Sequence, residues 1–202
     1  MGDPERPRPI RDSVRFLGSF VRRPARIGAV MPSSRFLADL LVGDLETLGD
    51  GDVVVEYGPG TGPMTRVIAD RLPEGAEYLG IEIDDKFVNL LRNRFPRFRF
   101  VQGSAADVSE WLERFELGDA KRIISGIPFA SLPAEVQTGI ADGTKDALAA
   151  DGEFRTFQYA HAYPLATARR FRSTMDVRFA HFERLGPVYR NVPPAYVLVY
   201  RH

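Results

Sequence analysis

The sequence predicts an α/β fold built on a mostly parallel sheet, and three observations predict it. Strand-like and helix-like stretches alternate five times between residues 53 and 159, at spacings that suit crossover helices. The first strand-like run feeds directly into a glycine-rich turn, Gly58-Pro59-Gly60-Thr61-Gly62. The last two strand-like runs are separated by turn residues, Gly186-Pro187 and Pro193-Pro194, with no crossover helix between them, which reads as an antiparallel pair. The length of 202 residues suits one domain. With 44% hydrophobic and 27% charged residues the chain can bury a sizeable core.

Residues 1–10 hold three Pro and no periodicity, a loose arm. From Asp12 to Arg23, Val14, Phe16, Leu17, Phe20 and Val21 cluster on one side of a helical wheel, with Arg11, Arg15, Arg22 and Arg23 around the flanks. That is a basic amphipathic helix, stopped by Pro24. After a loop, Pro32-Ser33-Ser34 opens a helix whose apolar face is Phe36, Leu37, Leu40 and Leu41. Residues 1–34 are therefore set apart as arm and helix, and 35–202 as the main domain.

Val53-Val54-Val55 is a short apolar run, as a strand buried on both faces requires. A helix follows the glycine turn (Met64, Val67, Ile68, Leu72) and ends at Pro73. The order then runs strand Tyr78–Ile83, helix Asp85–Phe95, strand Phe98–Gln102, helix Val108–Phe115 and strand Arg122–Ser125. A helix over Pro133–Ala149 and a strand over Glu153–Tyr159 complete the alternation, and Phe179–Arg184 and Ala195–Tyr200 are the final strand pair.

Several function classes drop out at once. Without cysteine there is no disulfide scaffold, thiolate metal site or cysteine nucleophile. Three scattered His with no paired spacing give no metal site. No apolar run reaches the roughly 18 residues of a membrane span, and the N-terminus lacks a signal-peptide core, so a cytoplasmic protein is expected. Net charge is zero but uneven. Residues 1–30 hold seven Arg against three acids, residues 31–154 hold 12 bases against 22 acids, and residues 155–202 hold eight Arg against two acids. If the two basic ends meet, they form a cationic face suited to an anionic surface.

Ligands of open parallel sheets bind beyond the carboxyl ends of the strands. The first strand ends in Glu56-Tyr57 and the glycine turn, where Gly58 and Gly60 let backbone approach a ligand. The second ends in Glu82-Ile83-Asp84, with Glu82 24 residues after Gly58, a spacing that suits an acid accepting from ribose hydroxyls. Glu56 tilts the reading away from a dinucleotide: a carboxylate there repels a pyrophosphate and favours a cationic methionine moiety.

VVVEYGPGTG followed by GIEID resembles the class I S-adenosylmethionine-dependent methyltransferases over roughly residues 50–160. The resemblance implies a Rossmann-like, seven-stranded sheet with helices on both faces and an antiparallel C-terminal strand. It implies that Gly58 and Gly60 face the methionine part of the cofactor and that Glu82 holds the ribose, with Ile83 beside it. Ser104 and Ala105, at the third strand end, meet the adenine, although an Asp is common at the position of Ser104. Met31, Ser33 and Ser34 close over the cofactor, and Gly126 joins the set from the fourth strand.

Two subfamilies are similar. The ribosomal RNA adenine dimethyltransferases share the loop, but their Asn-Leu-Pro-Tyr motif stands here as Gly126-Ile127-Pro128-Phe129, without the amide that holds an adenine amino group. RNA adenine methylation is the alternative reading. The bacterial phospholipid N-methyltransferase family is similar along nearly the whole chain: RFLGSFVRRPARIGAVMPSSRFLA, SGIPFASLP, FQYAHAYP and VYRNVPPAYVLVYR. That resemblance implies methylation of phosphatidylethanolamine toward phosphatidylcholine, with S-adenosylhomocysteine as by-product. It implies a peripheral protein on the inner face of the cytoplasmic membrane, with no nucleic-acid partner expected. The basic helix at 12–23 suits an anionic membrane surface. Tyr159, His161 and Tyr163 follow the fifth strand: His161 can take the amine proton and the tyrosine rings can hold a methylated cation. Phe129 is a candidate pocket wall, and Arg169, Arg170 and Arg172 are candidate partners of a lipid phosphate.

Overall fold

The computed structural model describes residues 34–202. The helix expected at 12–23 and the candidates Met31 and Ser33 lie outside the described residues. The elements are α1 (Arg35–Val42), β1 (Val53–Tyr57), α2 (Pro63–Arg71), β2 (Glu77–Glu82), α3 (Asp85–Arg94), β3 (Arg99–Gln102), α4 (Val108–Arg114), β4 (Ala120–Ser125), α5 (Ala134–Ala147), β5 (Leu148–Tyr159), α6 (Ala166–Asp176), β6 (His181–Val188) and β7 (Ala195–Arg201). Short 3₁₀ turns at Ala105–Asp107 and Phe129–Ser131 follow β3 and β4.

All seven strands form one sheet in the order β3-β2-β1-β4-β5-β7-β6. β1 to β5 pair in parallel, and β7 runs antiparallel to both β5 and β6 between them. The seven-stranded Rossmann-like expectation holds, antiparallel strand included. The period-2 alternation of strands divides the core. Val53, Val55 and Tyr57 point to a face packed by Val108, Leu112, Ile140, Phe171 and Met175, the buried stripes of α4, α5 and α6. Val54 points to the other, packed by Leu37, Leu41, Met64, Ile68, Val88 and Leu91 of α1, α2 and α3. Three helices on each side bury β1 completely, which is why it opens on the unbroken run Val53-Val54-Val55 before the buried Glu56.

Two boundaries and one further element differ from the sequence expectation. β5 starts at Leu148, directly after α5, because the strand absorbs a register irregularity opposite β4 before Glu153. β6 starts at His181 and runs on to Val188. α6 is an element the sequence reading left unassigned; its buried Ala168, Phe171 and Met175 are spaced as one helix face.

Chain order reverses at β1, with β2 and β3 on one side and β4 on the other. The crevice at that switch lies above the carboxyl end of β1, where the glycine turn leaves the sheet.

Candidate active site

The glycine turn is held by backbone geometry that side chains resist. Gly58, Gly60 and Gly62 have φ of 64°, 59° and 87°. A Cβ on Gly62 would meet Phe95 at 2.8 Å, and one on Gly58 would meet Ile127 at 3.0 Å. A Cβ on Gly60 would project into open space with nothing within 4 Å. Gly60 therefore presents bare backbone to open space, a cradle that fits a ligand approaching the main chain.

Glu82 closes one side of this cradle. Its Oε2 accepts the Gly60 N–H at 2.9 Å, and its Oε1 accepts the N–H groups of Ile83 at 2.8 Å and Asp84 at 3.0 Å. A carboxylate offers about four acceptor directions, so one remains. Burial raises the Glu82 pKa, while the amides of Asp84, Gly60 and Ile83 pull it down. Ile83 takes part through its amide, with its side chain against the core.

Glu56 is fully buried. Its Oε2 accepts from the Tyr78 hydroxyl at 2.5 Å and the Thr65 hydroxyl at 2.8 Å. Oε1 is buried with no hydrogen-bond partner. Burial pushes the pKa from 4.5 to about 7, against the lowering effect of the Tyr78 and Thr65 hydroxyls. Among the described residues, no Lys or Arg pairs with Glu56 or Glu82. The orphan oxygen of Glu56, the spare acceptor on Glu82 and the open Gly60 backbone together suit a cationic nucleoside ligand. Sequence reasoning missed Thr65 and Tyr78, since a Thr in a helix and a Tyr in a strand carry no periodic signal of a polar role.

The third and fourth strands supply the rest of the rim. Ser104 caps the 3₁₀ turn, its Oγ accepting the Ala106 N–H at 3.1 Å, and Ala105 is buried. Gly126 donates its N–H to the Tyr57 carbonyl at 2.9 Å. A Cβ on Gly126 would meet Met64 Cε at 2.7 Å and the Gly58 carbonyl oxygen at 3.1 Å. The loop thus packs directly on this glycine, and a larger side chain requires Met64 to shift. Ser34 caps α1, its Oγ accepting from Leu37 N–H at 3.3 Å, while its own N–H donates to Asn191 Oδ1 at 2.8 Å.

The acceptor side differs from the sequence reading in three residues. Phe129 is 1% exposed, stacked on Phe171 with ring centroids 4.4 Å apart, so it is core and not a pocket wall. Arg172 turns inward: it donates to Gln158 Oε1 at 2.7 Å and to the Tyr163 carbonyl at 3.0 Å, which removes it as a surface phosphate ligand. Its guanidinium sits 3.8 Å from the Tyr163 ring centroid, so the protein's own cation already covers that ring. Arg169 and Arg170 stand exposed on α6. Tyr159 and His161 remain together at the end of β5, ring centroids 5.7 Å apart and 15° from parallel, Tyr159 half-buried and His161 exposed. β4 separates β1 from β5, so the pair lies two strand spacings, roughly 10 Å, across the same edge from the glycine turn.

A family model described as TrkA-N domain matches residues 59–132, less than half of the chain. The ornithine lipid N-methyltransferase of Singulisphaera acidiphila is 34% identical over 92% of this chain and 94% of its own length. Ribosomal RNA small subunit methyltransferase A of Phenylobacterium zucineum is 34% identical over 46% of this chain and 34% of its own. The TehB-like SAM-dependent methyltransferase of Corynebacterium glutamicum superposes with a TM-score of 0.59 at 16% identity, over 95% of this chain and 98% of that one, a likeness of fold.

Proposed function

This chain belongs to the class I S-adenosylmethionine-dependent methyltransferases, in the family of the ornithine lipid N-methyltransferase it matches almost end to end, and on that premise we propose that it methylates the amine of a membrane-lipid headgroup. The observation that carries the reading is the extent of that match, 92% of the chain, against less than half for the RNA methyltransferase. Gly126 adds support, because the site lacks the amide that an adenine acceptor needs. Phosphatidylethanolamine, the acceptor the sequence motifs imply, and ornithine lipid, the substrate in the relative's name, both present such an amine. Phosphatidylcholine is the product of three rounds on the first.

S-adenosylmethionine, the cofactor of this family, supplies an electrophilic methyl group on a sulfonium. Glu82, held in place by the amides of Gly60, Ile83 and Asp84, would accept from a ribose hydroxyl at its remaining lone pair. Gly58 and Gly60 would offer bare backbone to it, and Ser104 and Ala105 would border its adenine. Glu56 contributes negative charge where a cation is to sit. The acceptor nitrogen must be neutral to attack, so its proton leaves first. His161, exposed at the edge, takes it directly or through water. The Tyr159 ring, flanked by His161 and by Phe157 at 5.4 Å, is a fixed aromatic face for the ammonium that grows with each methyl. Direct displacement needs no covalent enzyme intermediate, so positioning carries the rate.

The test supplies labelled S-adenosylmethionine with vesicles of phosphatidylethanolamine, vesicles of ornithine lipid, or RNA. Label is expected in a lipid fraction, and which lipid takes it fixes the acceptor. Label in RNA alone refutes the proposal.

A further inference from the structure

The carboxyl edge of the sheet carries exposed side chains that neither the core nor methyl transfer uses. β6 turns into β7 at residues 189–194, and Ala195 pairs with both Tyr159 and Val188, which sets that turn beside the end of β5. Tyr189 is 77% exposed and Val192 66%. Phe36, at the start of α1, is 47% exposed and lies under the Arg190 guanidinium, 4.7 Å from the ring centroid. Single exposed apolar residues are ordinary; three at one edge beside a cation are not.

The turn beneath them is fixed. Asn191 is 3% exposed; its side chain donates to the Pro193 carbonyl at 2.7 Å and accepts from the Ser34 N–H at 2.8 Å. The Ala160 N–H donates to the Pro194 carbonyl at 2.7 Å, tying the turn to the loop that bears His161. A platform pinned from two sides thus holds Tyr189 and Val192 outward.

The charges of this region are sorted by edge. Residues 155–202 hold eight Arg and two acids. Glu183 lies near the start of β6, where it pairs with Arg201, and Asp176 ends α6, which runs back from the carboxyl edge. Both acids therefore point away from the turn, while Arg190 stands on it and Arg169 is exposed near the start of α6. Tyrosine suits the headgroup level of a bilayer, and arginine draws anionic lipid.

We infer that the β6–β7 turn, with Phe36 and Arg190, is a docking surface for an anionic phospholipid bilayer. It rests on the aminolipid reading above, and it brings Tyr159 and His161 to the headgroup layer where such an acceptor resides.

The full-length protein is compared with a Tyr189→Ser, Arg190→Gln, Val192→Ser triple variant. Three quantities are measured: sedimentation with phosphatidylcholine vesicles with and without phosphatidylglycerol, thermal midpoint, and methylation of a short-chain aminolipid below its critical micelle concentration. The variant is expected to lose roughly tenfold or more in partitioning to the anionic vesicles, with the midpoint and the rate on monomeric lipid kept. Equal partitioning of the two proteins overturns the inference. So does wild-type binding to RNA but not to vesicles, or loss of turnover on monomeric lipid, which assigns the turn to the active site. If the wild type labels no aminolipid, the functional reading falls while sedimentation still decides the docking surface.

Discussion

Glu153 and the pair Glu56 and Glu82 lie on the same sheet, and their surroundings differ in kind. Toward the amino edge, Glu153 has a side chain 16% exposed and is ringed by Arg122, Arg155 and Arg201, the last two at 2.9 Å and 2.5 Å. Burial alone would raise its pKa, but the guanidiniums outweigh burial and the net shift is down. Arg155 also donates to the Leu40 and Leu41 carbonyls at 2.9 Å, so the cluster fastens the end of α1 to the sheet. At the carboxyl edge, Glu56 and Glu82 are more deeply buried and held only by hydroxyls and amides, and both pKa values rise. A carboxylate with cations around it is complete as it stands. A carboxylate buried without one is costly until a cation arrives, and such sites concentrate where ligands bind.

Breaking the amino-edge cluster is the largest expected effect. Glu153→Ala leaves three guanidiniums around an empty centre and should cost about 4 kcal/mol of stability, with cofactor affinity unchanged. Urea unfolding together with titration calorimetry checks both halves, and an affinity loss would show the two edges are coupled.

The pH dependence of the other edge comes next. Glu56 has a folded pKa raised to about 7 from 4.5. The folded state therefore binds the proton more tightly, and this contribution to stability is full below about 4.5 and lost as pH rises through about 7. The loss is at most about 3 kcal/mol. Glu56→Gln should flatten the fall in thermal midpoint between pH 5 and pH 8. An unchanged profile would mean that another group carries it.

A smaller loss is expected in affinity. Glu82→Ala removes the partner of three amides and the acceptor proposed for a ribose hydroxyl, and S-adenosylmethionine should bind about a hundredfold more weakly by calorimetry. Binding at wild-type strength would remove Glu82 from the cofactor site. Smallest is Tyr159→Ala, expected to lower turnover about tenfold with cofactor binding kept. If it abolishes cofactor binding instead, Tyr159 belongs to the other half of the edge.

The glycine cradle and the acid beside it were legible in the sequence because they rest on local rules. Val53-Val54-Val55, the glycine turn and the acid at residue 82 are each set by backbone geometry within a few residues, and the structure joins them through the Gly60–Glu82 hydrogen bond. The acceptor half was less legible. Phe129 and Tyr163 look alike in sequence, aromatic residues just past a strand end. One is covered by Phe171, 42 residues away, and the other by Arg172. The fine composition of α6 was legible in principle, since Ala168, Phe171 and Met175 share one helical face, but its Arg-rich surface masked the stripe.

By itself the sequence determined the alternation of elements, the switch-point crevice and the acid spacing, because periodicity and turn chemistry are properties of neighbouring residues. Only the tertiary structure decided which carboxylates meet cations, which aromatics are core and which tips face outward. Those outcomes depend on partners far along the chain: Glu153 on Arg201, Glu56 on Tyr78, Ser34 on Asn191. No local pattern encodes whether a charge will be answered across the sheet, and that answer separates a structural cluster from a site waiting for its ligand.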